Sequence, residues 1–82
     1  MRNNRPANGK WNLCGPNITK LRLGLQPKCS QRALADKLQL MGMECSKNTI
    51  QSIESGERTV SDIELRYLSE FFGVTVDELL SE

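Results

Sequence analysis

The fold is decided by the stretch from Ser30 to Gly56, SQRALADKLQLMGMECSKNTIQSIESG. Its first part, SQRALADKLQL, and its last part, SKNTIQSIESG, each carry the apolar spacing of a short amphipathic helix. In the second helix, Ile50 and Ile53 point to one side. At about 100° per residue, three short polar side chains lie roughly opposite this isoleucine pair: Asn48, Ser52 and Ser55. The pattern predicts two helices joined by a turn, the second with an uncovered polar face.

The chemistry of that polar face favours one kind of partner. A surface helix is usually solvated by long Glu and Lys side chains, whereas this face carries amides and hydroxyls. These groups can read the edges of bases in a DNA major groove. The alternative is an ordinary solvated surface. We therefore interpret the helix as an element for sequence-specific DNA binding.

Composition sets the size and the charge distribution. The 82 residues suffice for one domain with a modest core. No apolar run approaches the roughly 20 residues of a membrane span, and no apolar stretch follows the N-terminal arginines as in a secretory signal. We expect a cytoplasmic, nucleoid-associated protein.

Residues 1–32 carry seven basic and no acidic side chains, and residues 33–82 carry four basic and ten acidic ones. This asymmetry favours a basic face turned to phosphates.

The cysteines and the absence of histidine argue against a metal site or catalysis. Cys14, Cys29 and Cys45 are an odd set without metal-ligand spacing, and the chain has no histidine. We interpret them as reduced, mostly buried small apolar residues, with a redox switch as the alternative. No cysteine has a base beside it in the sequence, and there is no glycine-rich phosphate loop. The sequence predicts no enzyme activity, no cofactor and no metal.

The first 13 residues differ in composition from the rest of the chain. Residues 1–13 predict a flexible basic arm that Trp11 and Leu13 attach to the core, and residues 14–82 predict the folded domain. Arg2 and Arg5 could enter a minor groove flanking the main contact. The alternative is a tail without a function.

Local signals predict where the helices begin and end. Gly15-Pro16 opens the first helix, because proline in a first turn forfeits no hydrogen bond, and Gln26-Pro27 ends it. Its apolar stripe consists of Ile18, Leu21 and Leu25. The second helix begins at the N-cap Ser30 and ends before Gly42. Its buried stripe consists of Leu34, Ala35, Leu38 and Met41.

The remaining helices carry equally clear boundaries. The third spans residues 47–55, between the N-cap Ser46 and the terminating Gly56. Capping boxes at residues 61–64 and 75–78 begin the fourth and fifth helices, which Gly73 separates. No alternating stretch predicts a strand. The fold class is therefore all-α, a compact domain of five helices.

In this order, the segments resemble the lambda-repressor-like, Cro-type helix-turn-helix family, the Xre regulators. The resemblance lies in Ile18-x-x-Leu21-Arg22, Ser30-Gln31-x-x-Leu34-Ala35-x-x-Leu38, Ser46-x-x-x-Ile50-x-x-Ile53-Glu54-x-Gly56-x-Arg58, Leu65-x-x-Leu68 and the final FFGVTVDELL. Two connections, at residues 26–29 and 39–45, are longer than is usual in the family. The resemblance implies a lambda-repressor-like DNA-binding domain that acts as a transcriptional regulator, and we expect a repressor.

The resemblance also implies roles for individual residues. The third helix places its N-terminal half in the major groove of double-stranded DNA. The positions that match the base-reading ones are Lys47, Asn48, Gln51 and Ser52. Gln31 matches the family's phosphate-contacting glutamine, and the further candidates for phosphate contacts are Lys28, Arg32, Ser46 and Arg58. For Arg58 there is a rival structural role, an ion pair with Glu54 four residues earlier, as the family commonly has.

The fourth helix carries a second apolar stripe, Ile63, Tyr67 and Phe71. It packs either on Trp11 and Leu13 or on a second subunit. One small helix reads too few base pairs for useful specificity, so we expect a homodimer on a palindromic operator, with half-sites about 34–36 Å apart. Two alternatives stay open. One is an antitoxin that binds a toxin and represses its own operon, and the other is a protein-interaction module without DNA binding.

Overall fold

The computed structural model of the chain describes residues 9–82, and Arg2 and Arg5 lie outside these residues. Within them the chain forms helices and no strands. The helices are α1 Gly15–Leu23, α2 Gln31–Met41, α3 Lys47–Ser55, α4 Asp62–Phe72 and α5 Val76–Leu80. The predicted all-α fold of five helices is therefore confirmed for this part of the chain.

The caps explain why the helices begin and end where they do. Four hydroxyl side chains accept a hydrogen bond from the backbone amide three residues on, at 3.0–3.3 Å: Ser30, Ser46, Ser61 and Thr75. Gly42 ends α2 with φ 110° and Gly56 ends α3 with φ 80°. Residues with a side chain rarely adopt this left-handed conformation. All of these predicted boundaries are confirmed.

The core lies where α1, α2 and α3 meet, and α4 and α5 close it from the other side. Its fully buried large side chains come from all five helices: Ile18, Leu34, Leu38, Ile50, Ile53, Leu68 and Leu79. Ile50 and Ile53 are 0% exposed, so α3 cannot roll about its axis without exposing them. The opposite face of α3 is consequently held outward.

The prediction that Gln26-Pro27 ends α1 was wrong. The helix ends at Leu23, and the N–H groups of Leu25 and Cys29 both point to the carbonyl of Arg22, at 3.4 and 3.3 Å. Gly24 follows the helix, and glycine has a low helix propensity. Leu25 therefore packs against the core from the connection and not from a helical stripe.

The end of α2 also differs from the prediction. Met41 was predicted to be buried, but it is 37% exposed. Gly42 reverses the chain, the amide of Met43 bonds to the carbonyl of Leu38 at 3.0 Å, and Met43 is buried instead. Because α2 continues to Met41, the connection to α3 spans residues 42–46 and not 39–45.

Candidate nucleic-acid interface

Helix α3 has a well-defined first turn. The hydroxyl of Ser46 accepts from the amide of Thr49 at 3.3 Å, and the hydroxyl of Thr49 accepts from the amide of Ser46 at 3.1 Å. This reciprocal capping satisfies two backbone donors that the helix start would otherwise leave open. Ser46 was predicted as the cap and Thr49 was not, because the third position of a capping box is usually Glu or Gln.

The outward face of α3 presents the four predicted base-reading residues. Lys47, Asn48 and Gln51 are exposed and Ser52 is half-buried. Within residues 9–82 none of these four side chains has a hydrogen-bond or ion-pair partner. Ser55 differs, since its hydroxyl donates to the carbonyl of Ser52 at 3.2 Å. The structure thus brings together one ammonium, two amides and one hydroxyl whose donors and acceptors are not used by the described fold.

The start of α2 borders this face with further polar groups. Lys28, Ser30 and Arg32 are exposed, and Gln31 is half-buried. The side chain of Gln31 turns toward α3 and donates from Nε2 to Oε1 of Glu54 at 3.0 Å. The N-terminus of α2 and the recognition helix are therefore connected through Gln31.

Glu54 accepts its strongest contacts from α1. Nε of Arg22 lies 2.7 Å from Oε2 of Glu54, and Nη2 lies 3.0 Å from Oε1. Burial alone would raise the pKa of Glu54, but the hydrogen bonds from Arg22 and Gln31 outweigh it and lower the pKa below its ordinary value. The carboxylate is therefore ionised and buried, with its charge matched by a guanidinium.

The predicted ion pair between Glu54 and Arg58 was wrong. Gly56 turns the chain out of the helix, so Arg58 does not follow Glu54 at helical spacing. Instead, Nη2 of Arg58 lies 3.1 Å from Oε2 of Glu64 at the start of α4. Its side chain stays 37% exposed, which leaves a phosphate contact open to it.

The charge distribution also differs in part from the expected basic face. Arg22 is buried in its ion pair, and Lys20 borders a surface depression together with Glu78 and Ser81. Two of the seven basic residues in the N-terminal part thus do not contribute to the surface around α3. Lys28 and Arg32 remain exposed beside it.

A residue that the sequence analysis did not single out, Asn12, fixes the C-terminal end of α3. Its Nδ2 donates to the carbonyl oxygens of Ile53 at 3.1 Å and Arg58 at 2.8 Å, and its Oδ1 accepts from the amide of Gly15 at 2.8 Å. Trp11 was expected to attach this segment to the core. Its backbone amide bonds to the carbonyl of Gly56 at 2.8 Å, and its side chain is 37% exposed. Nothing local in the sequence indicates the partners of Asn12, which lie 41 and 46 residues away.

The three cysteines are free thiols, with Cys14 and Cys29 buried and Cys45 half-buried. Burial raises the pKa of Cys14 to about 11 and also raises the pKa of Cys45. A raised pKa keeps a thiol protonated and therefore unreactive. The positions agree with the interpretation of the cysteines as small apolar residues. Among residues 9–82, no three potential ligands come together in a way that could hold a metal ion.

The second stripe of α4 packs only partly. Tyr67 and Phe71 are half-buried against the core, whereas Ile63 is 66% exposed. Tyr67 borders a depression with Gly42 and Met43, and Leu13 lies elsewhere, beside the C-terminal residues 81 and 82. Tyr67 thus lies beside the connection after α2 and Phe71 beside the connection before α2. Of the two alternatives for the stripe, packing on Leu13 was wrong.

Comparison with known proteins agrees with this geometry. The family model described as helix-turn-helix matches residues 18–79. Neither a curated protein nor a solved structure matches the chain significantly. Within the described residues, no helix is both long and apolar enough to cross a lipid bilayer. The helix-turn-helix match covers most of the chain and agrees with the two-helix unit α2–α3. The chain therefore belongs to the lambda-repressor-like, Xre-type helix-turn-helix family of DNA-binding regulators.

Proposed function

We propose that this protein is a sequence-specific transcriptional repressor that places α3 in the major groove of double-stranded DNA. The observation that carries the proposal is the outward face of α3, where four polar side chains have no partner within residues 9–82. A merely solvated helix could carry any charged residues there. Short amides and hydroxyls beside a basic helix start instead match the donors and acceptors of base edges.

The individual roles follow from the chemistry of each side chain. Asn48 can pair with adenine through two hydrogen bonds, and Lys47 can donate to O6 and N7 of guanine. Gln51 and Ser52 lie beside them and can bond to several base edges. All four belong to the first two turns of α3, the part that a docked recognition helix brings nearest to the bases.

The phosphate contacts are proposed for residues around the same face. The exposed Lys28 and Arg32 supply positive charge at the start of α2, and Arg58 supplies it beyond the end of α3. Ser46 accepts from the amide of Thr49 within its capping box, and its hydroxyl lies 3.2 Å from that of Thr49. When Thr49 donates in this hydroxyl pair, the hydroxyl hydrogen of Ser46 can donate to a phosphate oxygen. Gln31 contributes a neutral N–H donor.

We further propose that the protein acts as a homodimer, with a second copy covering the outer face of α4. Ile63 lies exposed there, next to the exposed pair of Arg66 and Glu70, whose Nε and Oε2 are 3.4 Å apart. A face that carries one cation and one anion around an apolar centre complements an antiparallel copy of itself, as a two-fold interface requires. Dimerisation would supply a second copy of α3, which would contact the second half-site of a palindromic operator.

Sedimentation velocity tests the dimer. Replacing Ile63→Lys should give a monomer with unchanged helicity, because it places two like charges in the apolar centre of the interface. A wild-type protein that sediments as a monomer at micromolar concentration contradicts the dimer. If that monomer binds a second protein through the same face, the antitoxin becomes the better candidate.

A salt titration of binding to operator-containing DNA tests the proposed function. Neutralising about 6–10 phosphates per dimer predicts a slope of log K against log salt near −0.9 per contact. The matched control is a duplex of the same length and composition with a scrambled sequence. Equal affinity for both duplexes at physiological salt, or a slope near zero, would overturn the proposal.

A further inference from the structure

Gln31 is bound to a carboxylate that is itself held in place. Oε1 of Glu54 accepts from Nε2 of Gln31 and from Nη2 of Arg22, each at 3.0 Å, while Oε2 accepts from Nε of Arg22 at 2.7 Å. The third guanidinium nitrogen, Nη1 of Arg22, donates to the carbonyl of Cys29 at 2.8 Å. Because both Arg22 and Glu54 are buried and doubly bonded, the carboxylate has no freedom to rotate.

This contact determines which way the amide of Gln31 faces. A carboxylate can only accept hydrogen bonds, so Gln31 must turn Nε2 and not Oε1 toward Glu54. A primary amide has two N–H groups, and one of them is used here. The second N–H diverges from the first at the wide angle of a planar amide. Gln31 is the first residue of α2 and is half-buried beside the exposed Ser30 and Arg32, so its second N–H can reach a partner outside the protein.

We propose that Glu54 is a positioning residue, which holds the amide of Gln31 with one N–H presented to a DNA phosphate oxygen. The proposal rests on the proposed function, because it deepens the role of Gln31 as a phosphate contact. Glu54 lies on the recognition helix itself. A single carboxylate thus fixes the position of the phosphate contact from α2 relative to the base contacts from α3.

The energetic benefit of this arrangement is preorganisation. A solvated glutamine loses much of its rotamer freedom when it binds a phosphate. In this structure the freedom is lost on folding, when Gln31 bonds to Glu54, and not on binding DNA. Arg22 and Glu54 would be fully paired without Gln31, so the amide is an addition to the ion pair and not a requirement of it.

Nuclear magnetic resonance of the DNA-free protein tests the orientation. In the wild-type protein the two side-chain amide hydrogens of Gln31 should differ strongly, with one shifted downfield by the carboxylate and protected from exchange. In the Glu54→Gln variant the shifted hydrogen should return toward the chemical shift and exchange rate of a solvated glutamine. The matched control is Glu64→Gln, which removes the charge from another ion pair and should leave the Gln31 resonances unchanged. Side-chain amide hydrogens with the chemical shifts and exchange rates of a solvated glutamine in the wild-type protein overturn the proposal.

A double-mutant cycle measures the effect on DNA binding. Gln31→Ala and Glu54→Gln should each weaken binding about tenfold per subunit, as expected for loss of a hydrogen bond to a charged group. If Glu54 acts through Gln31, the double variant should bind no more weakly than the weaker single one. Gln39→Ala serves as the control on the same helix, since Gln39 bonds to the carbonyl of Cys45 and should not couple to Glu54. Affinities are corrected for the folded fraction of each variant, measured by circular dichroism.

The outcomes separate this inference from the proposed function. Sequence-specific binding by the wild-type protein with independent, multiplying losses of about a hundredfold in the double variant would overturn only the positioning role. An absence of sequence-specific binding by the wild-type protein would overturn both. Non-additive losses together with the downfield amide resonance support the proposal.

Discussion

Nε of Arg22 and Oε2 of Glu54 lie 2.7 Å apart, in a buried ion pair that joins α1 to α3. The two side chains are only 10% and 6% exposed, respectively. Apolar contacts hold α3 through Ile50 and Ile53, and this pair adds a directional contact that sets its position along the helix axis. The orientation of the proposed base-reading face of α3 therefore depends on a residue of α1.

Arg22→Met should destabilise the domain strongly. The substitution leaves the carboxylate of Glu54 buried without its cation, which typically costs about 3–5 kcal/mol. Urea denaturation followed by circular dichroism measures the free energy of unfolding. The control is Lys37→Met, which removes an exposed positive charge outside the proposed dimer interface and should change the free energy of unfolding by less than about 1 kcal/mol. Equal effects of the two substitutions would contradict the importance of the buried pair.

The same pair predicts sensitivity to acid. The pKa of Glu54 in the folded protein lies below its ordinary value of 4.5. The ionised carboxylate therefore contributes its full stabilisation above about pH 4.5, and this contribution is lost as the pH falls through the lower folded-state pKa. The free energy of unfolding should fall more steeply below that pH in the wild-type protein than in Glu54→Gln. Parallel pH profiles for the two proteins would show that Glu54 is not the group concerned.

Local signals predicted most of the fold, and long-range contacts account for what was missed. Ser30, Ser46 and Gly56 mark helix ends because their effect is exerted within a few residues. Arg58, the nearest cation along the chain, was predicted as the partner of Glu54. The partner in the structure is Arg22, which lies 32 residues away. A sequence pattern shows which charges are spaced for a helix, but not which helix packs alongside.

The same distinction applies to the site. The outward face of α3 could be predicted, because burial of Ile50 and Ile53 fixes it through helical periodicity alone. The role of Asn12 could not, because its partners are backbone groups at the far end of α3 and the start of α1. A backbone carbonyl leaves no mark in a sequence.

Asn12→Ala should loosen the end of the recognition helix. The carbonyls of Ile53 and Arg58 would lose their buried donor, at a cost of about 1–3 kcal/mol. Amide hydrogen exchange should become faster at the C-terminal end of α3. Asn17→Ala is the matched control, because Asn17 bonds to the carbonyls of Leu79 and Ser81 and its loss should affect α5. Faster exchange in α3 for both variants would argue against a specific role for Asn12.

Asn48→Ala should change which DNA sequence is preferred. Loss of a two-bond contact to one base is worth about 1–3 kcal/mol and should relax selection at one position in each half-site. The free energy of unfolding should stay unchanged, because Asn48 is exposed and has no partner within residues 9–82. Competition with duplexes that carry single base changes measures the effect. A uniform loss of affinity for all duplexes would indicate that Asn48 contacts the DNA backbone and not a base.

Lys47→Ala should weaken specific binding, and Lys37→Ala should not. Both substitutions remove one exposed positive charge. Lys37, however, lies in the second turn of α2, beyond the helix start that carries Gln31 and Arg32, and not on α3. Fluorescence anisotropy with a labelled operator duplex compares the two. Equal losses for the two variants would indicate that net charge, and not the position of Lys47 on α3, governs binding.

Selection of bound duplexes from a pool of random sequence tests the central claim most directly, since it requires α3 itself to read bases. The wild-type protein should enrich a motif with two inverted half-sites whose centres lie about one helical turn apart, and Asn48→Ala should lose preference at the same position of each half-site. Failure of the folded wild-type protein to enrich any motif over several rounds would contradict the claim.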